Sequence, residues 1–152
     1  EGITPSIGQM LERFDYERLK VARVLGVKAV SAIEWLRESY GANGDTIYEA
    51  IQNNPAYRGL TAPTALHNRY IYEDVPYSLV PIASIAQDIG IETPAIDTII
   101  RLANIMTGRN FYEEGRTVEK LGLKGLDIGQ IHQYAQTGIM EHRIVKEEGV
   151  VA

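Results

Sequence analysis

Cysteine is absent from this 152-residue chain, which excludes disulfides, thiolate zinc sites and a cysteine nucleophile. Blocks of Lys or Arg are missing too. Acidic residues outnumber basic ones 20 to 15, for a net charge of -5, so a phosphate-tracking surface and a nucleic-acid partner are not expected. No apolar run approaches the roughly 20 residues of a membrane span. The expected compartment is therefore the cytoplasm. Glycine never recurs at a spacing of two, which removes both the dinucleotide fingerprint and the P-loop. His67, His132 and His142 lack the i, i+4 partner of a helical metal site, and no metal is expected.

What is present is helix after helix. Thr4 is placed to cap a helix opening at Pro5, with Ile7, Met10, Leu11 and Phe14 on one face. Asp15 to Leu25 extends that face as a second stretch and stops at Gly26. Ala29, Ala32, Ile33, Leu36 and Tyr40 mark the next helix, and Asp45 to Gln52 a short one before the Asn/Pro/Gly loop of Asn53 to Pro63. Leu79, Ile82, Ala83, Ala86 and Ile89 form a stripe ending at Gly90. Thr93-Pro94 restarts the pattern, with Ile96, Ile99, Ile100, Ala103 and Met106 facing inward. Asp127 with Gln130 reads as a capping box for a last helix through Ala135. Strand alternation does not persist anywhere. The expected fold is all-α, a single multi-helix domain over residues 1–152, and the apolar stripes read as core.

The stretch Arg69-Tyr70-Ile71-Tyr72-Glu73-Asp74-Val75-Pro76-Tyr77 is the chemically richest. A guanidinium clamps a carboxylate through two parallel hydrogen bonds that a lysine cannot reproduce. A carboxylate orients and charge-balances a proton-shuttling histidine. Both residues also have plain readings. Asp74 before Val75-Pro76 has the pattern of an N-cap, and Arg69 can pair with Glu73 at i+4. Tyr70, Tyr72 and Tyr77 either line a pocket or are core tyrosines with satisfied hydroxyls. Arg109 and Arg116, near Phe111 and Gly115, read as surface arginines or partners for Glu113 and Glu114.

Resemblance weighs on these alternatives. Glu1-Gly2-Ile3-Thr4-Pro5-Ser6, the run from Glu17 to Gly26, Arg69-Tyr70 with Glu73-Asp74-Val75-Pro76-Tyr77, and Gly115-Arg116-Thr117 with Leu121-Gly122-Leu123 follow one another in order. Together they resemble the C-terminal helical domain of the octopine/nopaline (opine) dehydrogenase family. The Glu-Asp-Val-Pro core with its upstream Arg-Tyr is the most specific piece.

That resemblance implies an NAD- or NADP-dependent enzyme that reductively condenses an amino acid with a 2-oxo acid. It implies that Arg69 is substrate-binding, holding a substrate carboxylate, and that Asp74 is catalytic, polarising a histidine. The histidine and an N-terminal Rossmann cofactor domain would lie upstream of Glu1, outside this chain. The chain alone is then expected to bind no cofactor and to be inactive. The amino-acid side chain is expected near the loop from Tyr57 to Pro63 or at none of its residues, and whether the domain forms a homodimer stays open. Two other readings remain: the helical domain of a Rossmann-linked reductase acting on a hydroxy acid, and a stand-alone helical interaction module with an exposed apolar groove.

Overall fold

Thr4 Oγ1 accepts the Ile7 N–H at 3.3 Å and Pro5 takes the first helical position, so α1 (Pro5–Val24) begins where cap chemistry places it. The computed structural model describes residues 2–139. The two stretches expected on either side of Asp15 are one helix of 20 residues, because no Gly or Pro interrupts the chain between Gln9 and Leu25. Six residues of this helix, Glu12 to Glu17, then carry three carboxylates that leave it sideways.

Glu12 accepts the Ile47 N–H at 2.9 Å, in the first turn of α3 (Ile47–Gln52). Asp15 accepts the Ala32 N–H at 2.8 Å, in the first turn of α2 (Ala32–Tyr40), while its other oxygen holds Arg18 at 2.6 Å. Glu17 accepts the N–H groups of Ala95 and Ile96 at 2.9 and 3.0 Å, opening α6 (Pro94–Thr107). Each carboxylate satisfies helix N–H donors that have no intrahelical partner and sits at the positive end of a helix dipole. Thr93, expected to open α6, makes no side-chain cap bond to it. Glu17 does that work from 78 residues away, a distance no local pattern reveals.

Local capping does open the others. Ser31 with Glu34 and Thr46 with Glu49 form capping boxes, so α2 starts after Ala29 rather than at it. Gly8 lets α1 and α3 touch: a Cβ there would lie 2.7 Å from Tyr48 Cβ. Asp127 and Gln130 form the expected box for α8 (Ile128–Thr137).

The expected helix beginning near Leu79 starts ten residues earlier. α4 (Arg69–Tyr72) passes through a π-helical turn (Val75–Leu79) straight into α5 (Val80–Asp88). Then follow α6, the short α7 (Phe111–Glu114) and α8. Among the described residues every regular element is helical, and no helix is long and apolar enough to cross a membrane. The main core gathers Val75, Val80, Ala83, Ile96, Ile100, Ala103 and Phe111 between the π turn, α5, α6 and α7. A smaller one holds Leu36, Ala42 and Ala50. Met106, expected inward, is exposed along with Leu102 and Ile105, because the inward face of α6 is already filled by Ile96, Ile100 and Ala103.

Removing Glu17 tests this scheme. Glu17→Ala strands one buried and one part-buried N–H donor, and a charge-assisted hydrogen bond is worth about 1.5–3 kcal/mol. A loss of about 3 kcal/mol is expected, lowering Tm by roughly 6–12 °C, with Glu17→Gln losing less. A wild-type melting curve for the Ala variant, followed by circular dichroism, would remove Glu17 as the cap of α6.

Candidate active site at the π turn

Asn68 sets the entrance to the segment singled out in the sequence. Its Oδ1 accepts the Tyr70 N–H at 3.0 Å, and its amide nitrogen donates to the Ala65 carbonyl at 2.7 Å. The cap thus ties the end of the preceding loop to the first turn of α4. Arg69 follows at once, its side chain 73% exposed, and meets Glu73 at 3.5 Å. The i+4 ion pair foreseen as the plain alternative is therefore present. With both partners exposed it is worth a few tenths of a kcal/mol, too little to withhold the guanidinium from a ligand.

Asp74 is not an N-cap. Its backbone is already helical (φ -72°, ψ -36°) and its side chain makes no cap hydrogen bond, because the helix began at Arg69 and simply continues. The carboxylate has no hydrogen-bond or ion-pair partner among the described residues. It lies on the rim of a cleft of about 350 Å³ between this helix and α6, with Tyr70, Ile71, Leu79, Ile99, Leu102 and Met106 among its walls. Asp74 is the one charged residue lining that cleft. Arg69 does not line it, and pairs with Glu73 rather than Asp74.

Two prolines produce the π turn. Pro76 and Pro81 lack N–H donors and cannot sustain regular i→i−4 bonding through this stretch. The Val80 N–H bonds instead to the Val75 carbonyl, five residues back, a geometry that recurs at functional sites. The Pro76 carbonyl is left over and accepts the Arg116 N–H at 3.0 Å. Gly115 makes this approach feasible: a Cβ there would lie 2.5 Å from the Pro76 oxygen and 2.9 Å from Val80 Cγ1. Two residues beyond Arg116, the Val118 N–H donates to Ser84 Oγ at 2.8 Å. The Arg116 guanidinium then stacks on the Tyr77 ring, 5.3 Å from its centroid. Arg116 is thus a second cation beside the π turn, missed by local sequence reading, which offered only solvent or Glu113 and Glu114.

The remaining candidates have structural places. Arg109 forks onto Glu114, with Nε 2.7 Å from the carboxylate, and lies over the Tyr72 ring at 5.0 Å. Tyr72 is half-buried between His67 and Phe111, whereas Tyr70 and Tyr77 are 60% and 50% exposed and are not core tyrosines. His132 Nε2 meets the Leu25 carbonyl. Neither His67 nor His132 lines the Asp74 cleft, and His142 lies outside the described residues. Among those residues no group of three His, Asp or Glu is placed to hold a metal. A larger, polar cavity of about 720 Å³ between the end of α5 and the start of α6 holds Glu92, Asp97, Arg101 and Tyr112. Burial, aided by the hydrogen bond from its hydroxyl to Asp97 at 2.8 Å, pushes the Tyr112 phenol far above its usual range.

Comparison with known proteins identifies the family. The chain belongs to the NAD/NADP octopine/nopaline dehydrogenase family: the model of that family's alpha-helical domain matches residues 1–107. An opine dehydrogenase of Arthrobacter sp. (strain 1C) is 46% identical over 131 residues, which are 86% of this chain and 36% of that protein. The octopine dehydrogenase of Pecten maximus is 27% identical over 97 residues, 58% of this chain and 24% of that one. Octopine dehydrogenase solved with NADH and agmatine superposes with a TM-score of 0.77 at 22% identity, covering 93% of this chain and 41% of that chain. The same all-α architecture is therefore present in both. The chain spans about a quarter to a third of the length of the curated relatives it matches.

Gly115→Ala checks the docking of this segment on the π turn. The added methyl meets backbone oxygen rather than a movable side-chain tip, so overpacking costs about 2 kcal/mol and Tm falls by roughly 4–8 °C. The Arg116 amide is expected to lose its protection in hydrogen exchange, and unchanged protection would mean that the Pro76–Arg116 bond does not hold the segment.

Proposed function

We propose that this chain is the substrate-binding helical domain of an opine-type dehydrogenase, which reductively condenses an amino acid with a 2-oxo acid using NADH or NADPH. Family membership supports this reading, as do octopine dehydrogenase structures obtained with NADH together with L-arginine or pyruvate. The observation that carries it is Asp74, an unpartnered carboxylate on an otherwise apolar cleft, five residues along the same helix from an exposed arginine.

In this proposal Arg69 turns from Glu73 to hold a substrate carboxylate through its planar fork. The carboxylate takes over both N–H donors, and Glu73 returns to water at little cost. Asp74 accepts a hydrogen bond from a histidine of the preceding domain, fixing its tautomer and stabilising its protonated form. The apolar walls lower the local dielectric and so strengthen that interaction. The N-termini of α2, α3 and α6, where a pyrophosphate would sit, already receive Asp15, Glu12 and Glu17. We accordingly assign the cofactor to a Rossmann domain outside this chain, and the chain alone is proposed to be inactive.

Two substitutions test the roles, made in the complete polypeptide that joins this chain to a cofactor domain. Arg69→Met is expected to lower kcat/KM for the 2-oxo acid roughly 10- to 150-fold, the equivalent of one charge-assisted hydrogen bond, while NAD(P)H affinity holds. Arg69→Lys should recover little, and normal catalysis by the Met variant returns Arg69 to its surface ion pair.

Asp74 has no cap to lose, so both Asp74→Asn and Asp74→Ala are expected to stay within about 0.5 kcal/mol of wild-type stability. Turnover should fall by orders of magnitude, and the apparent base pKa in the pH–rate profile should drop. The sign follows from the charge: a nearby carboxylate raises a histidine pKa, and its neutral replacement does not. Wild-type turnover in either variant removes Asp74 from catalysis.

A further inference from the structure

Arg116 carries a guanidinium that the rest of the chain leaves uncommitted. It is exposed, and among the described residues it enters no salt bridge. The carboxylates near it in sequence are taken by others: Glu113 by the Asn110 amide at 2.9 Å, Glu114 by Arg109, and Glu119 by Lys124 at 3.3 Å. Yet Arg116 is held in place. Its N–H donates to the Pro76 carbonyl at 3.0 Å, and its guanidinium carbon stands 5.3 Å from the Tyr77 ring centroid. Stacking occupies a face of the guanidinium and leaves its in-plane N–H donors free for a planar anion.

Hydrogen bonding ahead of the π turn fixes where that ring lies. The Glu73 N–H bonds to the Arg69 carbonyl at 2.8 Å, and the Tyr77 N–H to the Glu73 carbonyl at 3.0 Å. These are regular i→i−4 steps, so Arg69, Glu73 and Tyr77 form one stripe along the helix. Arg69 Nη2 stands 3.5 Å from Glu73, and Glu73 and Tyr77 are attached about 6 Å apart along the axis. The Arg116 guanidinium over Tyr77 therefore lies on the flank that bears Arg69, further along it. Asp74 borders the same stripe, next in the chain after Glu73 and ahead of Tyr77.

The condensation proposed above unites two acids, and its secondary-amine product carries two carboxylates. Arg69 meets one. A single guanidinium cannot fork onto both, since a C–N–C bridge separates them. We propose that Arg116 binds the second, the carboxylate of the amino acid, so that Arg69 and Arg116 hold the two ends of the forming product with its nitrogen between them. The inference rests on the function proposed for Arg69 and Asp74, and adds the residue that recognises the amino-acid partner as an acid.

The test is steady-state kinetics of the complete polypeptide that joins this chain to a cofactor domain. Pyruvate is paired with whichever standard L-amino acid the wild type condenses fastest, and then with that amino acid's own carboxamide. Arg116→Met keeps the backbone bond to Pro76, so Tm is expected to hold. Its KM for the amino acid is expected to rise, and the corresponding kcat/KM to fall roughly 10- to 150-fold. The KM for pyruvate should stay within about twofold of wild type, and the preference for acid over amide should collapse. Arg69→Met is expected to show the converse split. An active wild type whose Arg116→Met variant keeps both its amino-acid KM and its acid-over-amide preference overturns the inference alone. A loss that falls on pyruvate instead overturns it too. A wild type that condenses no amino acid overturns the underlying reading, and the inference with it.

Discussion

A carboxylate at 1% exposure destabilises a fold unless its charge is met by donors, and Glu17 is met by the two N–H groups that open α6. Arg13, one turn earlier, adds a cation at 3.5 Å from the edge of the buried group. The arrangement is reciprocal. α6 needs an anion at its N-terminus because its own cap position provides none, and Glu17 needs donors because it is out of water. Glu12 and Asp15 repeat the motif toward α3 and α2 from the same helix. Three helices separated in sequence are thereby indexed to one, each by its first turn, which fixes where each starts and leaves the hydrophobic core to set how closely they pack.

This indexing reaches the candidate site through α6. The cleft beside Asp74 has one wall from the helix that starts at Arg69 and the other from α6, so its width follows from where Glu17 holds the start of that second wall. The π turn fixes the first wall, and Gly115 and Arg116 brace it from behind through the Pro76 carbonyl. Leu102, Ile105 and Met106 continue the apolar surface outward from the cleft; Ile105 is 79% exposed. A contiguous apolar surface beside a lone carboxylate suits an interface that closes over a reacting group and excludes water from it.

The helices were legible in the sequence wherever a local signal opens or closes them: Thr4-Pro5, Asp127 with Gln130, and the stops at Gly26 and Gly90. The all-α class followed from those signals and from the absence of sustained alternation. Glu17 was not legible as a cap, because its partners lie 78 and 79 residues away. The π turn was hidden for a different reason. Val75-Pro76 is the usual mark of a helix start, and no local signal shows that the chain is already helical from Arg69. Of the candidate site, Arg69 and Asp74 stood out by residue type and by resemblance, whereas Arg116 became visible only with its ring contact to Tyr77.

A π turn amounts to one residue more than the regular helix needs. Each residue of an α-helix turns the chain by about 100° and advances it by about 1.5 Å. Deleting one residue between Val75 and Leu79 would swing everything before it, Arg69 and Asp74 included, through that angle relative to α5. The Asp74 carboxylate would leave the cleft, yet the core residues of α5 would keep their places. The extra residue therefore works as a phase setting, separating the rotation of the candidate catalytic segment from the packing of the helix that carries it. Substitutions could vary the cleft's chemistry freely within this frame, but a change of length could not.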